Sequence, residues 1–281
     1  MNIKVKNRLS RIKFRSRKVK PDLGKGIYIL PNLFTTASLF AGFYSIISSI
    51  EGSFVASAAA IIVSGVFDFL DGKVARMTKT TSQFGVEYDS LADLAAFGVA
   101  PAILGYLWAL QPFGRLGWVV GFLYMACGAL RLARFNVYAG VKSQDYFQGL
   151  PIPGAAAMVA TTVFLFSHLG QGGPIRHVSV LLLIFCLSFL MVSNFKYFSL
   201  KNPDLLRRKP FNTLVAAVLV LSLIAARPQV VLFLFMLAYV ASGPLVSIMV
   251  YYKSRKEREE RGLEAEETGG ETRAGDPPGQ S

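Results

Sequence analysis

The feature that most constrains this chain is a succession of apolar segments of roughly membrane-spanning length, separated by short basic stretches. A helix needs about 20 predominantly apolar residues to cross the hydrocarbon core of a bilayer. The segments run over 28–50, 54–71, 89–110, 117–138, 152–169, 178–195, 212–226 and 229–252. Inside lipid a backbone must satisfy its own hydrogen bonds, so each reads as a helix. The expectation is an all-α polytopic membrane protein with about eight transmembrane helices. Composition agrees: 53% of residues are hydrophobic and 17% charged, and mean hydropathy is +0.44. A soluble domain carries about 25% charged residues, so the composition rules out a disordered chain and argues against an ordinary soluble globule. Arg227 and Pro228 between the last two segments fit a tight hairpin, and no segment leaves room for a soluble domain.

A net charge of +13 could suggest a nucleic-acid partner. The distribution argues otherwise, because the positive charge lies between apolar blocks. Cytoplasmic loops of membrane proteins collect Lys and Arg. With the N-terminus in the cytoplasm, 27 of the 30 basic residues fall inside, and only Arg115, Arg176 and Arg227 fall outside. An even number of spans then returns the C-terminus to the cytoplasm. Ten basic residues crowd into 1–26 against the single acid Asp22, which reads as attraction to anionic lipid. Val5, Leu9 and Ile12 share one helical face there, so this arm is an interfacial helix or a flexible basic segment. Residues 253–281, rich in Glu, Gly and Pro, are expected to be disordered. No cleavable signal is evident, since no small-residue cleavage site follows the first apolar block. Cys127 and Cys186 lie within apolar segments and offer neither a disulfide framework nor metal spacing.

Against this apolar background stand four carboxylates, Asp68, Asp71, Asp89 and Asp93, at or near the ends of the second and third segments. A centrally placed Asp costs about 2.5–3.5 kcal/mol to insert, so four near one interface call for a function beyond helix capping. Asp68 and Asp71 are spaced i, i+3, and Asp89 and Asp93 i, i+4, so each pair shares a helical face. A loop over 77–85 folds the two helices into an antiparallel hairpin and brings the pairs together. Such a cluster repels itself unless cations fill it. An all-oxygen set suits Mg²⁺, Mn²⁺ or Ca²⁺ rather than zinc. His168 and His177, the two histidines of the chain, are expected on the opposite side of the membrane. Two divalent ions on shared carboxylates point to phosphoryl or related transfer, with a peripheral carboxylate able to take a proton from an attacking hydroxyl. Gly72, Ala75 and Gly85 leave room for a ligand or for close helix packing. Arg76 can bind a phosphate through its planar fork. No Ser, Cys or His stands out as a nucleophile, which favours direct attack by an acceptor.

Taken together, the pattern is Asp68-x-x-Asp71-Gly72-x-x-Ala75-Arg76, eight residues, then Gly85-x-x-x-Asp89-x-x-x-Asp93. It resembles the signature of the CDP-alcohol phosphatidyltransferase family at every position. The motif covers 26 residues, and the apolar framework of the first six segments extends the likeness. The resemblance implies a six-helix catalytic core over 27–195 around a cytoplasm-facing polar cavity, usually in a homodimer. It implies transfer of a phosphatidyl group from a CDP-linked lipid to an alcohol, with release of CMP. Carried over, Asp68, Asp71 and Asp89 hold two divalent cations, Mg²⁺ or Mn²⁺. Asp93 completes the second metal site and serves as base. Gly72, Ala75, Arg76 and Gly85 line the CDP pocket. Residues 196–252 then form a basic loop and two additional helices.

Three further stretches narrow the acceptor: Ile29-Leu30-Pro31-Asn32 with Thr35, Thr36 and Gly42; Gly128 to Asn136; and Gly149 to Ala156. They resemble the multi-pass phosphatidylserine synthases of bacteria and archaea, implying CDP-diacylglycerol and L-serine as substrates in a prokaryotic plasma membrane. Serine carries a carboxylate, so its site should hold a fixed cation. Arg131 and Arg134 share a helical face at i, i+3, and Asn136 adds an amide. Snorkelling of both arginines to lipid phosphates is the competing reading. The segment 149–154 is a wall of the acceptor pocket or an ordinary turn. Lys196, Lys201, Arg207, Arg208 and Lys209 serve topology or attract the anionic donor lipid. Two alternatives stay open: the same chemistry with glycerol 3-phosphate, inositol phosphate or choline, and a divalent-cation transporter built on the carboxylates.

Overall fold

The computed structural model describes residues 29–78, 82–138, 147–197 and 226–247. The basic arm 1–26, the tail 253–281 and the seventh apolar segment, but for Ala226, lie outside the described residues, as do Lys142, Lys201, Arg207, Arg208 and Lys209. The described chain is helical apart from one antiparallel pair, in which Phe147 faces Tyr197 and Gln148 faces Lys196. We label the helices α1 (Ile29–Ile50), α2 (Phe54–Thr78), α3 (Gln83–Phe113), α4 (Arg115–Tyr138), α5 (Ile152–His168), α6 (Val178–Val192) and α7 (Pro228–Ser247). Five of them, α1 to α4 and α7, are long and apolar enough to cross a membrane, while α5 and α6 are shorter, at 17 and 15 residues.

Two helices reach beyond their apolar segments. Hydropathy marks 54–71 and 89–110, whereas α2 continues to Thr78 and α3 begins at Gln83. The extra turns are polar, so hydropathy does not register them. Ser82 starts α3 by accepting the Gly85 N–H on its Oγ at 3.0 Å, which satisfies one of the unpaired donors of a first turn. These turns leave Asp71 and Asp89 inside continuous helix rather than at its ends.

α1 and α2 form a hairpin through Glu51–Ser53 and meet along a line of small polar residues. Ser38 pairs with Ser64 at 2.7 Å, and Ser57 pairs with both Ser45 and Ser49 at 2.8 and 2.7 Å. In lipid, helices associate by close approach of small residues and by such hydrogen bonds. Gly42 on α1 packs so tightly on α3 that a Cβ there would lie 2.7 Å from Ala96 Cα. Large apolar side chains point outward instead, among them Phe40, Ile50, Phe69 and Phe122, as lipid-facing surfaces require.

α3 is widened by π-helical turns at Leu94–Val99 and Tyr106–Leu110. Each precedes or adjoins a proline, Pro101 or Pro112. A helical proline donates no hydrogen bond, and its ring crowds the carbonyl four residues back. Those carbonyls are Phe97 O and Trp108 O. Tyr124 of α4 donates its hydroxyl to the first at 3.3 Å, and the Ile175 N–H reaches the second at 2.8 Å. The core around this helix is formed by Phe97, Leu104, Trp108, Tyr124, Met158 and Leu187, all nearly inaccessible.

Candidate active site

The carboxylates gather where the end of α2 meets the start of α3. Asp68, Asp71 and Asp89 each present a carboxylate oxygen, all within 4.8 Å of one another. Asp93, one turn beyond Asp89, is in hydrogen-bond contact with Asp68. It lies outside the triplet, yet the charges of all three other aspartates act on it. Asp71 is buried and accepts a hydrogen bond from Thr35 Oγ1 of α1 at 2.9 Å. Among the described residues no Lys or Arg forms an ion pair with the four, although Arg131 of α4 lies within Coulombic range of Asp93. Carboxylates packed this closely and left without ion pairs fit a hard divalent cation held by oxygen. His168 contacts Arg227 and His177 contacts Gln171, both at 3.2 Å, at the other end of the bundle.

An open groove of about 210 Å³ adjoins the cluster. Asp71, Gly72, Ala75 and Arg76 of α2 form one side of it, and Gly85, Val86 and Asp89 of α3 another. The four motif residues expected around a CDP group therefore share one groove with two of the carboxylates. Pro31, Asn32 and Thr35 of α1 and Ser82 complete the lining. At Gly85 a Cβ would stand 3.1 Å from Ser82 Oγ and 3.5 Å from Asn32 Oδ1, narrowing the groove between α1 and α3. At Gly72 it would stand 3.9 Å from both terminal nitrogens of Arg76, so the guanidinium folds back along its own helix toward the groove.

The three acceptor candidates on α4 are engaged differently. Arg131 is only 8% exposed, and its buried Nε has no hydrogen-bond partner among the described residues. Arg134 donates to Val192 O at 3.1 Å, to Asn194 Oδ1 at 3.2 Å and to Ser193 O at 3.4 Å. It thereby caps the C-terminus of α6, where the helix carries partial negative charge. Asn136 donates its amide to Ser90 Oγ of α3 at 2.9 Å. The 149–154 segment is tied to the end of α6 as well. Gly149 N–H donates to Phe195 O at 2.9 Å and Leu150 N–H to Leu190 O at 3.1 Å. Gly149 has φ +78°, and a Cβ there would stand 2.9 Å from Ser193 O, so only glycine fits.

The sequence reading uses Asn32 and Thr35 only as part of a stretch that resembles relatives, and assigns neither of them nor Ser82 a place at the site. Their signal is present in hindsight: Asn32 and Thr35 are polar and three residues apart at the mouth of an apolar segment, hence on one face. Which helix that face meets follows only from packing.

The family model of the CDP-alcohol phosphatidyltransferases matches residues 28–192, more than half of the chain. The chain belongs to this family, and is therefore a transferase rather than a cation transporter. A Helicobacter pylori protein named CDP-diacylglycerol–serine O-phosphatidyltransferase is 39% identical over 219 residues, spanning 77% of this chain and 90% of that protein. An archaetidylserine synthase of Methanothermobacter thermautotrophicus is 38% identical over 170 residues, spanning 60% of this chain and 69% of its own length. A Saccharomyces cerevisiae CDP-diacylglycerol–serine O-phosphatidyltransferase is 40% identical over 134 residues, 43% of this chain and 48% of that protein.

Proposed function

We propose that this protein transfers the phosphatidyl group of CDP-diacylglycerol to L-serine, forming phosphatidylserine and CMP. The observation that carries the reading is the Asp68, Asp71 and Asp89 cluster opening onto the groove of Gly72, Ala75, Arg76 and Gly85. The names of the bacterial, archaeal and yeast relatives supply serine.

In this mechanism Asp68, Asp71 and Asp89 would hold the divalent cations, Mg²⁺ or Mn²⁺, with Asp93 as a further ligand. Bound there, the metals would neutralise the pyrophosphate and stabilise the departing charge. Arg76 grips a phosphate oxygen of the donor at the open side of the groove. Gly72, Ala75 and Gly85 keep the space into which the nucleotide fits. Asp93 accepts the proton of the serine hydroxyl. The serine Oγ–P bond forms as the P–O bond to CMP breaks, and CMP leaves with the electron pair. Arg131 binds the serine carboxylate, supported by its burial and its unpaired Nε. Arg134 and Asn136 hold the surrounding walls through their bonds to α6 and α3.

The same reading gives the chain eight spans, both termini in the cytoplasm, and a site facing the cytoplasm of a prokaryotic plasma membrane. It includes a homodimer and an anionic lipid surface around the basic segments. The test is CMP release from CDP-diacylglycerol by the purified protein with Mn²⁺ or Mg²⁺. L-Serine, glycerol 3-phosphate, inositol phosphate and choline are compared as acceptors. Release with serine alone is expected. Release with another acceptor alone removes serine and the role of Arg131.

A further inference from the structure

The segment matched by the family model ends at residue 192, so α7 lies outside it. Most of this helix faces outward, with Leu234, Phe235 and Leu245 exposed. Its inward stripe is Phe233, Met236 and Val240, which pack on the core at spacings that share one helical face. Tyr239 belongs to this stripe and is the polar side chain on it.

Tyr239 comes down on the N-terminal turn of α5. A Cβ built at Gly154 would meet Tyr239 Cε1 at 3.1 Å. The phenol thus lies against the glycine that closes the 149–154 segment, and it packs there because no side chain intervenes. Tyr239 and Arg131 are also within electrostatic range of each other. Arg131 is almost wholly buried and leaves its Nε unpaired, a state that costs free energy until an anion arrives.

We propose that Tyr239 is a specificity-determining residue of the acceptor site, its hydroxyl donating to the same acceptor carboxylate that Arg131 binds. The proposal rests on Arg131 being the carboxylate anchor. A carboxylate has two oxygens and accepts several hydrogen bonds, so a guanidinium and a phenol on adjoining walls can share it. The site is then completed by a helix added outside the common core. Acceptor choice is set in part by an element outside the segment that the family model matches.

The experiment compares Tyr239→Phe, Gly154→Ala and Arg131→Lys with the unaltered full-length protein in lipid nanodiscs. KM is measured separately for L-serine and CDP-diacylglycerol. Tyr239→Phe keeps the ring against Gly154 and removes only the hydroxyl. Its serine KM should rise about tenfold, the loss expected for one hydrogen bond to a charged group, with kcat and the donor KM within twofold. Gly154→Ala adds a methyl that displaces the ring and should raise serine KM in the same direction. Inhibition by L-serinamide, which lacks the carboxylate, should be unchanged by Tyr239→Phe. An unaltered serine KM in Tyr239→Phe, or an equal rise for both substrates, overturns the proposal. Arg131→Lys separates the two readings. If it raises serine KM while Tyr239→Phe does not, only the role of Tyr239 falls. If it leaves serine KM unchanged, the carboxylate anchor itself is wrong.

Discussion

At the residue scale the site divides between groups that act and groups that hold them. Asp93 sits beside the triplet in contact with Asp68, and on the proposed mechanism it is the proton acceptor for the attacking hydroxyl. Asp93→Asn keeps the shape and removes the basicity. Turnover should fall by about 10²–10⁴-fold, the usual contribution of a positioned base, while binding of CDP-diacylglycerol persists. Wild-type turnover in this variant would sink the assignment. Thr35 is a holding group, fixing one oxygen of Asp71 through its 2.9 Å hydrogen bond. Removing the partner of a metal-binding side chain typically weakens metal affinity by roughly 10–100-fold. Thr35→Val should therefore raise the Mn²⁺ concentration for half-maximal activity by at least about tenfold and leave saturated turnover much closer to normal. A chelator titration followed by Mn²⁺ add-back measures both. An unchanged metal requirement would leave Thr35 with a packing role only.

At the element scale, the sequence makes the α2–α3 hairpin legible because its evidence is chemical. Four aspartates at i, i+3 and i, i+4 fix which faces meet, whatever the hydropathy. The helix ends were less legible, since the turns at 72–78 and 83–88 are polar and fall outside any apolar window. The irregularity of α3 was not legible at all. Pro101 and Pro112 announce missing donors, but only tertiary structure shows that Tyr124 and Ile175 take up the freed carbonyls. Arg134 illustrates the same limit: its spacing from Arg131 placed both on one face, while its three bonds at the end of α6 depend on a partner 58 residues away. Tyr124→Phe tests the account of α3. It leaves Phe97 O buried without its donor, at a cost of about 1–3 kcal/mol. A lower thermal unfolding midpoint is expected with the two KM values unchanged. A midpoint equal to wild type would mean that the carbonyl finds another donor, and that the widened turn does not depend on α4.

At the scale of the whole molecule, charge and chemistry choose the same side of the membrane. The start of α1, the end of α2, the start of α3 and the end of α4 meet at one end of the bundle, as the Thr35–Asp71 and Asn136–Ser90 hydrogen bonds require. Among the described residues, Lys73 and Arg76 at the end of α2 and Arg131 and Arg134 at the end of α4 lie at this end. On the proposed function, a lipid donor with a pyrophosphate and a polar acceptor would both enter a site opening there, and the positive-inside rule predicts that this end is cytoplasmic. Single cysteines in a variant lacking Cys127 and Cys186 read the orientation directly. Ser10→Cys, Glu87→Cys and Ser281→Cys should react with a membrane-impermeant maleimide only in inverted vesicles. Gly173→Cys, on the α5–α6 connection where a Cβ meets nothing within 4 Å, should react only in intact cells. Labelling at 281 from outside, with 10 and 87 inside, would require an odd number of spans. It would then detach the 212–226 segment from the count, while leaving the carboxylate hairpin on its cytoplasmic side.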